Sequence, residues 1–192
     1  MSYTIKTDKD TRIDEFCVMM SKAFNYVSCD IKDAAKQLDD LGFFLAPAST
    51  KYHGAYAGGL FNHSKAVTEQ LVNLTERLGL EWKNERSPYI IGMLHDLCKC
   101  DTYKCVGDEN SKPIYIYNKE TLLDGHGEKS VILAQNILHG RLTDEEIACI
   151  RWHMGAFDDK ERWSYYRYAI TQYPNVLYTH TADMIASAIL DT

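Results

Sequence analysis

The chain has 192 residues, 45% of them hydrophobic, which suits one compact domain and would crowd two. Its 21 basic and 27 acidic side chains leave a net charge of -6, a poor electrostatic surface for duplex nucleic acid. No apolar run of about 18 residues is present to span a membrane, and the polar opening MSYTIKTDKDTRIDEF lacks an apolar signal core, so a cytoplasmic protein is expected.

In chain order, helical periodicity dominates. Residues 11–27 carry apolar side chains at Ile13, Phe16, Cys17, Met20, Phe24 and Val27, spaced by three and four, which predicts a helix. A second helix is expected over 31–44, ending near Gly42. The Gly-rich segment PASTKYHGAYAGG (47–59) reads as a loop. A long helix from Leu60 to Leu78 meets a stop at Gly79. Ser87-Pro88 starts the next, with Pro88 at its first position, and that helix carries MLHDLCK (93–99). Residues 101–118 differ: GDENSKP is turn-rich and IYIY (114–117) is β-branched and aromatic, so a short β-hairpin is expected. A helix begins near Gly127, where Glu128 and Lys129 read as a charge pair at the surface. Thr143 caps another helix with Glu146 as its capping-box partner, running to His153. A Tyr-rich stretch follows, and the last helix starts after Pro174. The fold class expected is all-α with one small hairpin.

Six cysteines in a cytoplasmic chain are expected to be reduced. Cys98, Cys100 and Cys105 are spaced CxCx4C, which is not a common zinc-knuckle spacing, and read as small buried thiols.

The polar residues inside apolar runs are harder to place. His63 falls in LFNHSKAV, His95 and Asp96 in IIGMLHDLCK, His153 in IACIRWHMG, and Asp183 in THTADMIASAIL. A carboxylate among Ala, Met and Ile is costly to bury unless it is paired or bound to a metal. Imidazole and carboxylate together ligate divalent transition metals. Neighbouring helical residues point about 100° apart, so His95 and Asp96 can both reach an ion beside their helix, and the two oxygens of Asp96 can bridge two ions.

The order His63, His95-Asp96, Asp183 resembles the HD-domain superfamily of metal-dependent phosphohydrolases. The words YHGAYAGGLFNH, LHDLCK, DGHGEKS, RWHMG and HTADM resemble those of small bacterial and phage HD hydrolases and of the HD module of certain 3'–5' exoribonucleases. The resemblance covers roughly residues 50–190. It implies one helical-bundle HD domain over 1–192, with residues 1–49 forming helices packed on the core. It further implies a first ion held by His63, His95, Asp96 and Asp183, and a second held by the bridging Asp96 with His126 and His153. Relatives of the two-metal branch often have His-His where this chain has His153-Met154. Lys99 matches the Lys of the family's HDxGK, while Cys98 stands at its Gly. The cofactor expected is one or two divalent ions of Mn, Fe, Co, Ni or Zn.

The activity implied is hydrolysis of a phosphoester by attack of a metal-bound hydroxide, with Asp96 and Lys99 catalytic. Lys99 lies four residues after His95 and is expected to share its helix face. Lys99, His53, Arg162 and Arg167 are the candidate substrate-binding residues, each also readable as an ordinary solvated side chain. His180, one turn before Asp183, is a candidate for support behind the ligands. His139, before Gly140, reads as ordinary. The aromatics Trp163, Tyr165, Tyr166 and Tyr168 read as base-stacking groups, as core or as a dimer contact. The expected substrate is a small phosphorylated compound, nucleotides foremost, with long nucleic acid and membranes excluded and a homodimer left open. The alternatives are a di-iron HD-fold oxygenase with the same ligand types and a non-catalytic nucleotide sensor.

Overall fold

The computed structural model describes residues 8–24, 30–106 and 113–190. It is mostly helical with one two-stranded antiparallel sheet, as expected. The order is α1 (Asp8–Phe24), α2 (Ile31–Asp40), α3 (Gly59–Leu78), α4 (Ser87–Leu94), α5 (Lys99–Thr102), β1 (Tyr103–Val106) and β2 (Ile114–Tyr117). Then come α6 (Gly127–Ile137), α7 (Asp144–Trp152), α8 (Trp163–Gln172) and α9 (Asn175–Ala188).

Helix α3 lies at the centre, packed on α4 and α9, while α7 packs on α9 and α6. Phe16, Met20 and Ala23 bury the apolar stripe of α1, and the helix rests on α2 and α4. Arg12 ties α1 to the following loop by donating to the carbonyls of Phe44 and Ala57, both at 3.1 Å. Phe16, Phe43, Phe44 and Phe61 meet edge to face or tilted, at 5.3–6.1 Å between centroids; such pairs add about 0.5–1.5 kcal/mol beyond area burial. The expected extension of α1 over residues 25–27, including Val27, lies outside the described residues, as do Cys29 and the hairpin turn over 107–112.

Helix ends follow their local chemistry. Gly79 caps α3 with its N–H on the Thr75 carbonyl. Pro88 lies in the first turn of α4. Thr143 accepts from the Glu146 N–H, and the Glu146 side chain reaches back to the Thr143 N–H at 2.8 Å, completing the capping box. Glu146 does more than cap. Arg86 grips it with Nε and Nη2, each at 3.1 Å, and Ser87 Oγ donates to it at 3.0 Å. The strands pair as expected, with Tyr103 opposite Tyr117 and Val106 opposite Ile114.

Four expectations need correction. Helix α2 stops at Asp40 rather than 44, because Gly42 turns the chain at φ 81°. MLHDLCK is not on one helix. The last α-type bond there is His95 N–H to the Ile91 carbonyl, after which Lys99 and Cys100 donate to Asp96 and Leu97 three residues back. That tighter turn, with poorer bond geometry than a regular helix, separates α4 from α5. Lys129 is buried and paired with Asp101, not with Glu128 at the surface. Cys105 is exposed on β1, because the strand is an edge with open faces.

Candidate metal centre

Gly92 lets α3 and α4 approach closely: a Cβ there would stand 2.5 Å from the Thr68 Cα. That approach brings His63 of α3 beside His95, their Nε2 atoms 3.3 Å apart. Asp183 of α9 closes the same side, with Oδ1 3.2 Å from His63 Nε2. Gly127 does the equivalent for the other side. A Cβ there would stand 2.1 Å from the Arg151 carbonyl oxygen, so only glycine lets the start of α6 abut the end of α7. His126 and His153 thereby face each other with Nε2 atoms 3.1 Å apart.

Asp96 lies between the two histidine pairs. Its Oδ2 is 3.4 Å from His95 Nε2 and 3.5 Å from His63 Nε2. Its Oδ1 is 2.8 Å from His126 Nε2 and 3.4 Å from His153 Nε2. Among the described residues the buried Oδ1 has no hydrogen-bond donor of good geometry. A carboxylate oxygen orphaned inside a protein is costly, and a cation would satisfy it.

The histidine tautomers suit a cation as well. His95 Nδ1 is 2.8 Å from the Gly92 carbonyl and His153 Nδ1 is 2.7 Å from the Ile150 carbonyl. A carbonyl only accepts, so each Nδ1 carries a hydrogen, which leaves Nε2 as the nitrogen aimed inward for a cation. His180 donates from Nδ1 to the His153 carbonyl at 2.8 Å, holding the end of α7 against α9.

Three overlapping groups have ligand atoms within 4.8 Å of one another: His63, His95 and Asp183; His95, Asp96 and His153; Asp96, Cys98 and His126. Ligand bonds of about 2.0–2.2 Å for nitrogen and oxygen fit donors at such separations. All six residues expected as ligands are therefore in one place, and they can hold a metal ion.

Charge in the cluster is balanced locally. Burial works against the Asp96 carboxylate, yet Lys99 and then His95 and His126 hold it well below the usual range. Lys99 Nζ touches Asp96 Oδ2 at 2.6 Å. Burial also opposes the Lys99 ammonium, and Asp96 outweighs it, raising its pKa. Lys99 reaches Asp96, three residues back, rather than sharing a face with His95; the tightened turn is the reason. Burial pushes His63 down, but Asp183 and Asp96 accepting from it raise it overall. Asp183 is correspondingly lowered against its own burial. His95, wholly enclosed, is lowered by burial.

The candidate substrate residues fare differently. The His53 ring is 5.3 Å from that of His63, placed by Ser49 donating to the His53 carbonyl at 2.8 Å. Burial and then the His63 charge lower its pKa. Arg162 lies beside His126, paired with Glu128. Arg167 is on the exposed side of α8 and lines neither cavity beside His126, so the structure does not bring it to the cluster. Trp163, Tyr165 and Tyr168 are also exposed, while Tyr166 packs on Trp152.

His126 separates two cavities of about 310 and 290 Å³. The first is charged, with Arg151 bridging Glu128 and Asp158 at 2.7 and 2.6 Å. The second is lined by Thr102, Tyr117, Asn118 and Thr121, with Asp124 and Lys129 as its charged members. A larger apolar cavity of about 680 Å³ between α1 and α3 touches none of the ligand candidates.

Arg151 and the Cys98 contact with His126 were not expected. In the sequence Cys98 stands in the CxCx4C spacing and at the Gly of HDxGK, and Arg151 opens RWHMG, but neither feature points to these contacts. No helix is long and apolar enough to cross a membrane among the described residues. No protein-family model, curated protein or solved structure matches the chain.

Proposed function

We propose that the chain is an HD-domain metal-dependent phosphohydrolase that cleaves a phosphoester of a small substrate, nucleotides foremost. The observation that carries this reading is the Asp96 carboxylate, with one oxygen toward His63 and His95 and the other toward His126 and His153. A carboxylate with a histidine pair at each oxygen is a bridging arrangement for two cations. Divalent ions, when bound there, neutralise phosphoester charge and lower the pKa of water to about 7.

The protein's own residues supply the rest. Lys99, paired with Asp96, is a point charge next to the ligands and takes a phosphate oxygen when substrate enters. His53, kept neutral by burial near neutral pH, offers a ring nitrogen to the substrate from beside His63. Arg162 can leave Glu128 for a phosphate on the His126 side. Cavities near 300 Å³ match a small ligand rather than a polymer groove, in keeping with the acidic net charge.

Metal content of the purified protein, measured with phosphate release from a panel of nucleotides and a generic phosphodiester, tests the reading. Two ions per chain with phosphate release is the expected result. Bound iron with oxygen consumption and no phosphate release would replace it with an oxygenase. Ligand binding without turnover in any of the five metals would leave a sensor.

A further inference from the structure

His95 and His153 are aimed by carbonyls on their own helices. His126 precedes its helix and is aimed differently: its Nδ1 is 3.3 Å from Cys98 Sγ. Cys98 is itself fixed. It is 1% exposed, and its N–H donates to Ser130 Oγ at 3.1 Å. Ser130 is in the first turn of α6, the helix His126 caps. The chain thus closes a small ring from Cys98 through Ser130 and α6 back to His126.

We infer that Cys98 is a positioning residue for His126, accepting Nδ1–H on its sulfur so that the Nε2 lone pair points at Asp96 Oδ1 and His153. It thereby sets the affinity of the cation on the His126 side. This rests on the two-metal reading above. Outer partners of ligating histidines fix tautomer and ring direction, and their loss costs roughly 10–100-fold in metal affinity. Glycine or alanine at this position would leave Nδ1 without that contact. The competing arrangement has the sulfur as a ligand, since Asp96, Cys98 and His126 also offer atoms within 4.8 Å of one another. The contact is made at Nδ1, however, while Nε2 is the nitrogen facing Asp96 Oδ1 and His153.

Cobalt(II) titration of the full chain, followed by absorbance and calorimetry, decides this. The wild type should take two cobalt ions without a sulfur-to-cobalt charge-transfer band. Cys98→Ala should keep the first and bind the second roughly 10–100-fold more weakly, and Cys98→Ser should recover most of that loss. Cys149→Ala, at a cysteine buried elsewhere on α7, should bind like the wild type. A charge-transfer band, unchanged binding by Cys98→Ala, equal weakening of both ions, or no recovery in Cys98→Ser overturns the inference. Wild type binding fewer than two ions overturns the two-metal reading and this inference with it; two ions in wild type with any of the former results overturns the inference alone.

Discussion

Lys99 Nζ stands 2.6 Å from Asp96 Oδ2, within one turn of the same segment. The pair has opposite charges in a site otherwise composed of imidazoles and one more carboxylate. It holds Asp96 ionised and makes this one residue the hinge of both halves of the cluster.

Asp96→Asn should therefore lose both ions, while His126→Ala should lose mainly one. The expected loss for Asp96→Asn is at least the roughly 10–100-fold that an outer partner costs, at each ion. Elemental analysis after dialysis against a set free-metal concentration measures it. Full metal content in Asp96→Asn would sink the site assignment.

Gly127→Ala should damage the His126 side selectively. The added carbon meets the Arg151 carbonyl at 2.1 Å, so α6 must retreat from α7. A stability loss of about 1–3 kcal/mol is expected from such overpacking, with weaker binding of the second ion. A variant with unchanged thermal midpoint and unchanged cobalt stoichiometry would contradict the close approach.

The network of Arg86, Ser87 and Glu146 is a matter of stability. Arg86 is 4% exposed and Glu146 is fully enclosed. Removing one partner strands the other charge, so Glu146→Ala should cost about 3–5 kcal/mol while leaving metal content per folded chain unchanged. Urea denaturation at fixed metal concentration tests this; a loss below about 1 kcal/mol would mean the pair adds little.

Asp158 gives a prediction in pH. Burial opposes its carboxylate, but the Arg151 hydrogen bond and the Asp159 N–H lower its pKa below the ordinary value. A lowered folded pKa means the charged form stabilises the fold above the unfolded value of about 3.9. That contribution disappears as pH falls through the folded value. Asp158→Asn should be less stable than wild type at pH 7, and the gap should close as acid takes the pH below the unfolded value and through the lowered folded one. A gap independent of pH would assign the loss to packing instead of charge.

Local signals were readable where the chemistry is local. Pro88, Gly79 and the pair Thr143–Glu146 mark helix ends through bonds spanning a few residues, and each was legible. IYIY was legible as a strand by its residue types. Five of the six ligand candidates stand out as polar residues inside apolar runs, and their order along the chain adds His126 and groups them as one ligand set. What stayed hidden is set by distant partners. Lys129 reads as a surface residue until Asp101 is placed beside it. Arg86 meets Glu146 across 60 residues. Cys98 meets His126 across 28. The break within MLHDLCK leaves no mark in the residue types, since every residue in it tolerates a helix and only three-residue bonds define the turn.

The two sides of Asp96 differ in shelter. The His63, His95 and His153 side chains are 0% exposed, Asp96 2% and Asp183 14%, whereas His126 is 35% exposed. His126 is thus the ligand candidate that solvent reaches most easily. Ions held at both ends of Asp96 would then exchange unequally with the medium, one between His63 and His95 more slowly than one under His126. A chelator would strip such a protein in two phases, the quick phase reporting the doorway and the slow one the vault.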